Sequence, residues 1–211
     1  MKTLVIGDLH GQVEIVSKAL DTGLPLIFLG DYLDSYTREV VDQIDTLMLV
    51  IEAVKTGRAQ ALLGNHEMSY LDRRMRCSGY RLATQLHVDN IHDVMLKHLN
   101  IYIRDDEFLF THAGVSQRLL TARSQTLKEY LDGNEYFQVG RARGGSIGAV
   151  GGLYWCDWRE FEPVPGIKQI VGHSRGNTIR QKGDNWCIDV NENGPPMGLV
   201  IGDGVPYTMN L

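Results

Sequence analysis

The sequence LVIGDLHGQ, residues 4–12, joins an apolar run directly to a short polar turn. The run is typical of a strand buried on both faces of a sheet. Asp8 and His10 lie two residues apart, where the chain leaves that strand. A carboxylate oxygen and an imidazole nitrogen together suit borderline first-row metals such as manganese, iron or zinc. This stretch alone is a weak signal, but it predicts a buried strand that ends in two candidate metal ligands.

The same placement recurs after four later apolar runs, at residues 26–30, 61–64, 108–111 and 169–172. The polar residues that follow these runs are Asp31 and Asp34, Asn65 and His66, His112, and His173. Open α/β sheets bind ligands beyond the carboxyl ends of their strands, so we expect these side chains to converge on one crevice. An aspartate after a strand is more often a helix cap or a turn former. Five coincidences in register favour a shared metal site instead.

The spacing of apolar residues predicts one α/β domain over residues 1–211. Predicted helices cover residues 13–20, 37–56, 81–99 and 117–131. Predicted strands cover residues 3–6, 26–29, 61–63, 101–103, 108–111, 168–171, 178–181, 186–190, 198–201 and 206–209. The early strands alternate with helices and predict a parallel half, whereas the hairpin turns at residues 182–185 and 202–204 predict a more antiparallel second half.

The composition is that of a globular protein, with 43% hydrophobic and 22% charged residues among 211. A formal charge of −5 argues against binding to nucleic acids or to anionic membranes. No apolar run approaches the length needed to span a bilayer. Because no signal peptide precedes the first strand and the three cysteines form no C-x-x-C pair, we expect a cytoplasmic protein with incidental thiols.

The strand-end motifs are GDLHGQ (7–12), GDYLD (30–34), GNHE (64–67), THAG (111–114) and VGHS (171–174). Together they resemble the calcineurin-like metallophosphoesterases, and most closely the bacterial and phage enzymes related to serine/threonine protein phosphatases. The resemblance implies a sandwich of two mixed β-sheets flanked by helices. It also implies two divalent metal ions at the carboxyl ends of the strands, with Mn²⁺ as the first choice and iron or zinc as alternatives.

Carried over by position, the resemblance assigns Asp8, His10 and Asp31 to the first metal. Asp31 bridges to the second metal, whose other ligands are Asn65, His112 and His173. Phosphoester hydrolysis then proceeds by attack of a metal-bridging hydroxide. The resemblance makes His66 the general acid that protonates the leaving oxygen, and makes Asp34 the residue that orients it.

The sequence departs from the protein phosphatases at two phosphate-binding positions, where Ser35 and Leu63 replace arginines. The candidate substitutes are Arg159, our first choice, and Arg38, Arg141 and Arg143. Arg159 follows a tryptophan-containing segment that resembles one in the family. The glycine-rich stretch at residues 140–152 is interpreted either as a substrate flap or, equally well, as a surface loop.

The leading functional hypothesis is a phosphomonoesterase that acts on phosphoserine or phosphothreonine in proteins. The alternative keeps the metal site but acts on small phosphoesters, as a nucleotide-type phosphodiesterase or a dinucleoside polyphosphate hydrolase. The missing arginines keep this alternative open, because a diester or a polyphosphate presents fewer terminal oxygens to bind. A non-catalytic scaffold is disfavoured because all six ligand positions and the Asp34–His66 pair are present. The sequence predicts no oligomeric state.

Overall fold

The structure, a computed structural model, describes residues 2–72, 77–133, 151–192, 194–202 and 204–211. Each strand that it contains overlaps a strand predicted from the sequence. In chain order the elements are β1 (Thr3–Ile6), α1 (Val13–Asp21), β2 (Leu26–Phe28), α2 (Val40–Lys55), β3 (Ala59–Ala61), α3 (Asn65–Leu71), α4 (Leu82–His98), β4 (Tyr102–Arg104), β5 (Phe108–Thr111), α5 (Gln117–Arg123), α6 (Leu127–Asp132), β6 (Lys168–Val171), β7 (Arg180–Lys182), β8 (Asn185–Cys187), β9 (Met197–Ile201) and β10 (Tyr207–Asn210).

Two five-stranded sheets form, and both are mixed. The first has the order β10-β9-β1-β2-β3, with β1, β2 and β3 parallel and the C-terminal hairpin β9-β10 added antiparallel to β1. The second has the order β4-β5-β6-β8-β7, with parallel strands at its centre and an antiparallel strand at each edge. The predicted division into a parallel and an antiparallel half is therefore wrong, because the last hairpin completes the first sheet.

Successive residues of the strands point to opposite faces of their sheet, and so pack into two different apolar cores. Val5 and Ile27 of the first sheet pack with Phe110, Ile170 and Trp186 of the second, which fills the space between the sheets. The neighbouring residues Leu4, Ile6 and Phe28 join a larger cluster with apolar residues of α1 and α2. The strands are thus buried on both faces, as the apolar runs predict. This arrangement confirms the predicted sandwich of two mixed sheets flanked by helices.

Two of the predicted helices differ from those in the structure in where they begin or end. The helix α2 begins at Val40 instead of residue 37, because Ser35 Oγ accepts the N–H groups of Thr37 and Arg38. The predicted helix at residues 117–131 is two helices, α5 and α6, separated by Ser124 with a φ of 54°.

Within the described ranges, no helix combines the length and apolar character needed to cross a membrane.

The side chain of Glu67, in the first turn of α3, binds the ends of two strands to one another. Its Oε1 accepts the N–H groups of Tyr32 at 2.9 Å and Leu33 at 3.2 Å. Its Oε2 accepts those of Asp31 at 2.8 Å and Gly64 at 2.9 Å. A carboxylate offers about four lone-pair positions, and here all of them are used. Glu67 is fully buried, so no water replaces these bonds if they are lost.

We predict that Glu67→Gln lowers the free energy of unfolding by about 3 kcal/mol, because the amide NH₂ faces backbone N–H groups that then lack an acceptor. Burial raises the pKa of Glu67 to about 7, so urea unfolding is best measured at mildly alkaline pH, where the side chain is ionised.

The matched control is Glu52→Gln on α2, whose side chain is 62% exposed. This substitution is expected to change the free energy of unfolding by less than about 0.5 kcal/mol. Equal effects of the two substitutions would contradict the role assigned to Glu67.

Candidate metal centre

Asp31, three residues beyond β2, lies at the centre of the predicted ligands. Its Oδ2 lies 3.3 Å from Nε2 of His112 and 3.9 Å from Nε2 of His10. The Nε2 atom of His66 also lies 3.9 Å from this oxygen. The backbone N–H of His66 donates to the other oxygen, Oδ1, at 3.0 Å. One carboxylate is thus surrounded by imidazoles that come from the ends of β1, β3 and β5.

Asn65, the first residue of α3, holds a second group together. Its Oδ1 lies 2.9 Å from His112 Nε2 and 2.9 Å from His173 Nδ1. The backbone N–H of His173 donates to both carboxylate oxygens of Asp8, at 3.0 and 3.1 Å. All six residues predicted as metal ligands are therefore brought together, five of them almost fully buried.

Two of the histidines use Nδ1 in a hydrogen bond to the backbone, which leaves Nε2 of each ring directed at another acceptor. His10 Nδ1 donates to the carbonyl oxygen of Leu33 at 2.6 Å, and His112 Nδ1 donates to that of Leu29 at 2.8 Å. In the neutral form of each ring, Nε2 carries a lone pair directed at Asp31 Oδ2, which also only accepts. These acceptors repel one another unless a proton or a metal cation lies between them. The donor set therefore fits divalent metals.

The buried carboxylates at the centre also favour the binding of a cation. Burial lowers the pKa of His112, but the facing Asp31 carboxylate outweighs burial and raises the pKa to about 9. Asp189 is almost fully buried beyond β8, and neither of its carboxylate oxygens has a hydrogen-bond partner among the described residues. Burial raises the pKa of Asp189 to about 6, and the Asp31 carboxylate adds to this shift. A bound cation relieves these unfavourable interactions.

The backbone at the site is strained. Four of the predicted site residues have a positive φ, namely His10, Asp31, Asp34 and His173. Such conformations cost about 1–3 kcal/mol each and occur mainly at functional sites. Glycine is required beside them, because a Cβ on Gly172 would lie 2.2 Å from Asp8 Oδ1. Each turn after a strand is therefore shaped for close approach between the ligands.

The predicted general acid and its orienting carboxylate form a hydrogen-bonded pair. His66 Nδ1 lies 2.8 Å from Asp34 Oδ2, and Asp34 is fully buried. Asp34 is fixed in turn, because the Tyr70 hydroxyl donates to its Oδ1 and its own N–H donates to Gln43. Burial lowers the pKa of His66, but the Asp31 and Asp34 carboxylates outweigh burial and raise it well above the ordinary value.

A cleft of about 280 Å³ opens beside the centre. Its lining includes His10, Arg38 and Arg175, and the two arginines pair with Glu14 and Glu192. Arg38 was among the predicted phosphate-binding residues, whereas Arg175 was not.

The other predicted phosphate-binding arginines lie elsewhere. Arg159 is not among the described residues that line the cleft. Its side chain is 84% exposed, and its guanidinium lies 3.5 Å from the Asp157 carboxylate. Arg141 and Arg143 lie outside the described residues, as does most of the stretch at residues 140–152 that was interpreted as a flap.

Sequence analysis missed three residues that support the site, Glu67, Tyr70 and Arg175. Each follows a motif closely: Glu67 is the last residue of GNHE, Tyr70 lies one helical turn beyond it, and Arg175 comes directly after VGHS. The residues of α3 that face Asp34 are spaced as on one side of a helix, and this spacing could have identified Tyr70. It was not used, because helix α3 itself was not predicted.

The sequence profile of the calcineurin-like phosphoesterases matches residues 1–208. A probable serine/threonine-protein phosphatase of Encephalitozoon cuniculi is 36% identical over 76 residues, which is 34% of this chain and 16% of that protein. A symmetrical bis(5'-nucleosyl)-tetraphosphatase of Ralstonia nicotianae is 32% identical over 124 residues, which is 52% of this chain and 41% of that protein. The match thus spans less than half of either curated relative.

Solved structures show the same fold at low sequence identity. A cold-active protein-tyrosine phosphatase of a psychrophilic Shewanella species superposes with a TM-score of 0.66 at 16% identity, covering 98% of this chain and 80% of that one. A protein serine/threonine phosphatase of Saccharomyces cerevisiae superposes with a TM-score of 0.58 at 16% identity, covering 100% of this chain and 80% of that one. With the profile match and the strand-end motifs, these findings establish that the chain belongs to the calcineurin-like phosphoesterase family.

Proposed function

We propose that the chain hydrolyses phosphoesters at a centre of two divalent metal ions. In this proposal the six ligands are Asp8, His10, Asp31, Asn65, His112 and His173. The observation that carries it is the set of acceptors converging on Asp31 Oδ2, with the His66–Asp34 pair at its margin. When bound, two such cations neutralise charge on a phosphoryl group and activate a water for attack.

In this proposal His66 is the general acid. Its Nδ1 donates to Asp34, so its Nε2 is the ring nitrogen directed toward the centre, 3.9 Å from Asp31 Oδ2. From there Nε2 donates a proton to the leaving oxygen of the substrate. The hydrogen bond to the Asp34 carboxylate, which is not one of the six proposed ligands, favours the protonated ring that a general acid requires. Asp34 is a positioning residue that also stabilises the imidazolium.

The substrates that we favour are phosphomonoesters, and phosphoserine and phosphothreonine in proteins in particular. In the cleft beside His10, Arg175 and Arg38 supply the positive charge that Ser35 and Leu63 lack. A monoester dianion presents terminal oxygens to such cations. The similarity to a probable serine/threonine-protein phosphatase supports this substrate class.

A second candidate activity is hydrolysis of dinucleoside polyphosphates or of nucleotide-type diesters. It is supported by the similarity to a bis(5'-nucleosyl)-tetraphosphatase over 52% of the chain. Its structural support is that Leu63 is buried and Ser35 Oγ caps the backbone, so neither residue binds phosphate.

Manganese as the native metal and a cytoplasmic location also stay predictions from sequence.

A substrate screen distinguishes these activities. The manganese-loaded protein is assayed with p-nitrophenyl phosphate, its bis-ester, a phosphoserine protein, a dinucleoside tetraphosphate and cyclic nucleotides. We expect the monoester to be cleaved faster than the diester. Faster cleavage of the dinucleoside tetraphosphate than of the phosphoprotein would select the second candidate. Absence of any hydrolysis with both metals bound would favour a scaffold.

We predict that His66→Asn reduces turnover of a phosphoserine peptide about 10²–10⁴-fold. The loss is expected to be much smaller for p-nitrophenyl phosphate, because its leaving oxygen needs little protonation. Metal content, measured by plasma mass spectrometry, is expected to stay unchanged, because the substitution replaces none of the proposed ligands.

The matched control for this prediction is His92→Asn, since His92 is exposed on α4 and pairs only locally with Asp93. It is expected to leave both rates unchanged. An equal loss on both substrates in His66→Asn would argue against its role as an acid.

We predict that Arg175→Ala raises KM for p-nitrophenyl phosphate about tenfold with a smaller effect on kcat, because a charge-assisted contact to the phosphate is lost. Arg159→Ala tests the choice made from sequence, and Arg104→Ala on β4 is the exposed control. A larger rise in KM for Arg159→Ala than for Arg175→Ala would reverse the assignment.

A further inference from the structure

The thiol of Cys77 lies against the pair formed by His66 and Asp34. Its Sγ is 3.4 Å from His66 Nδ1 and 4.0 Å from Asp34 Oδ2, and these two atoms are 2.8 Å apart. The three side chains thus bring a sulfur, a nitrogen and an oxygen within 4.8 Å of one another. Sequence analysis had interpreted this cysteine as incidental.

The placement of Cys77 is fixed by the chain that follows it. Gly79 has a φ of 90°, and a Cβ at that position would lie 2.9 Å from Asp34 Cβ. A residue with a side chain at position 79 could not approach Asp34 this closely, so the turn after Cys77 requires glycine there. Cys77 is half-buried, whereas Asp34 is fully buried.

The three donor atoms suit a tetrahedral thiophilic cation. With zinc bonds of about 2.0 Å to nitrogen and oxygen and about 2.3 Å to sulfur, tetrahedral ligand atoms are about 3.3–3.6 Å apart. The observed separations of 2.8, 3.4 and 4.0 Å bracket this range. A small rotation of His66 away from Asp34 would lengthen the shortest separation, and a small rotation of the Cys77 side chain toward Asp34 would shorten the longest. Thiolate, imidazole and carboxylate are the ligands that zinc accepts, and water completes the tetrahedron.

The group lies on the far side of the His66 ring from the proposed two-metal centre. Nε2 faces Asp31, whereas Nδ1 faces Cys77 and Asp34. A cation bound by Nδ1 therefore adds to the pair of metals without replacing either of them.

We propose that Cys77, His66 and Asp34 form an inhibitory site for a thiophilic divalent cation such as Zn²⁺. On binding, the thiol proton and the proton on Nδ1 pass to solvent, and His66 loses its bond to Asp34. The ring is then a neutral metal ligand, and its remaining Nε2–H is a much weaker acid than the imidazolium that donates to the leaving oxygen. The inhibition rests on the proposed function, but the binding of the cation does not.

The binding test uses Cd²⁺ as a probe, because thiolate coordination of cadmium gives an ultraviolet charge-transfer band that oxygen and nitrogen ligands do not give. The protein loaded with manganese is titrated with Cd²⁺. We expect the band to saturate at one cadmium per chain and to be absent from Cys77→Ser. A band that persists in Cys77→Ser would overturn the proposal, because it would place the cation at Cys156 or Cys187.

His66→Asn tests whether the thiol acts alone. Loss of the imidazole is expected to weaken cadmium binding about tenfold or more, whereas the exposed control His92→Asn leaves it unchanged. Equal affinities in His66→Asn and in the unmodified protein would show that the thiol binds without His66, and would overturn the site as proposed.

The inhibition test titrates Zn²⁺ into the manganese-loaded protein, with each variant normalised to its own activity. We expect Cys77→Ser to need about tenfold more zinc, or more, for half inhibition. Equal sensitivity would mean that zinc acts by displacing manganese, and would overturn the inhibitory role. If no phosphoester is hydrolysed, the proposed function fails, while the cadmium band still tests the site.

Discussion

The carboxylate of Glu67 is the constraint on which the candidate metal centre depends. It accepts four backbone N–H groups, from Asp31, Tyr32, Leu33 and Gly64, and so joins the loop after β2 to the start of α3. Both of these segments carry proposed ligands. The fit is close, because a Cβ on Gly64 would lie 2.1 Å from Asp31 Oδ1. Without this buried acceptor, four backbone N–H groups would lack a partner, and the contact between the two loops would be weakened.

The centre itself lowers the stability of the protein. His10, Asp31, Asp34 and His173 hold left-handed backbone conformations, and the buried carboxylate of Asp189 lacks a partner among the described residues. The surrounding cores and the Glu67 hydrogen bonds hold these features in place. Cations that bind only the folded chain recover part of the cost through their own binding free energy. Strain and unbalanced charge at the strand ends are thus typical of a site built for metals.

Much of the fold was predictable because its signals are local. Apolar runs mark the buried strands. The break at Ser124 was not predicted, because the apolar pattern continues through it. The helix-start signal of α6, the reciprocal hydrogen bonds of Thr126 and Glu129, was overlooked. The pairing of β9 with β1 was hidden, because strands nearly 200 residues apart carry no mark of their partner. Sheet order follows from burial across the whole chain, which no local window contains.

The sequence by itself determined the chemistry at each strand end, because oxygen and nitrogen ligands recur after apolar runs in motifs of fixed spacing. It also determined the family to which the chain belongs. Only the tertiary structure decided which atoms meet: that Asn65 lies between His112 and His173, that Arg175 lines the cleft while Arg159 does not, and that Cys77 touches His66. The physical reason is that ligand type is a property of single residues, whereas proximity is set by how two sheets pack.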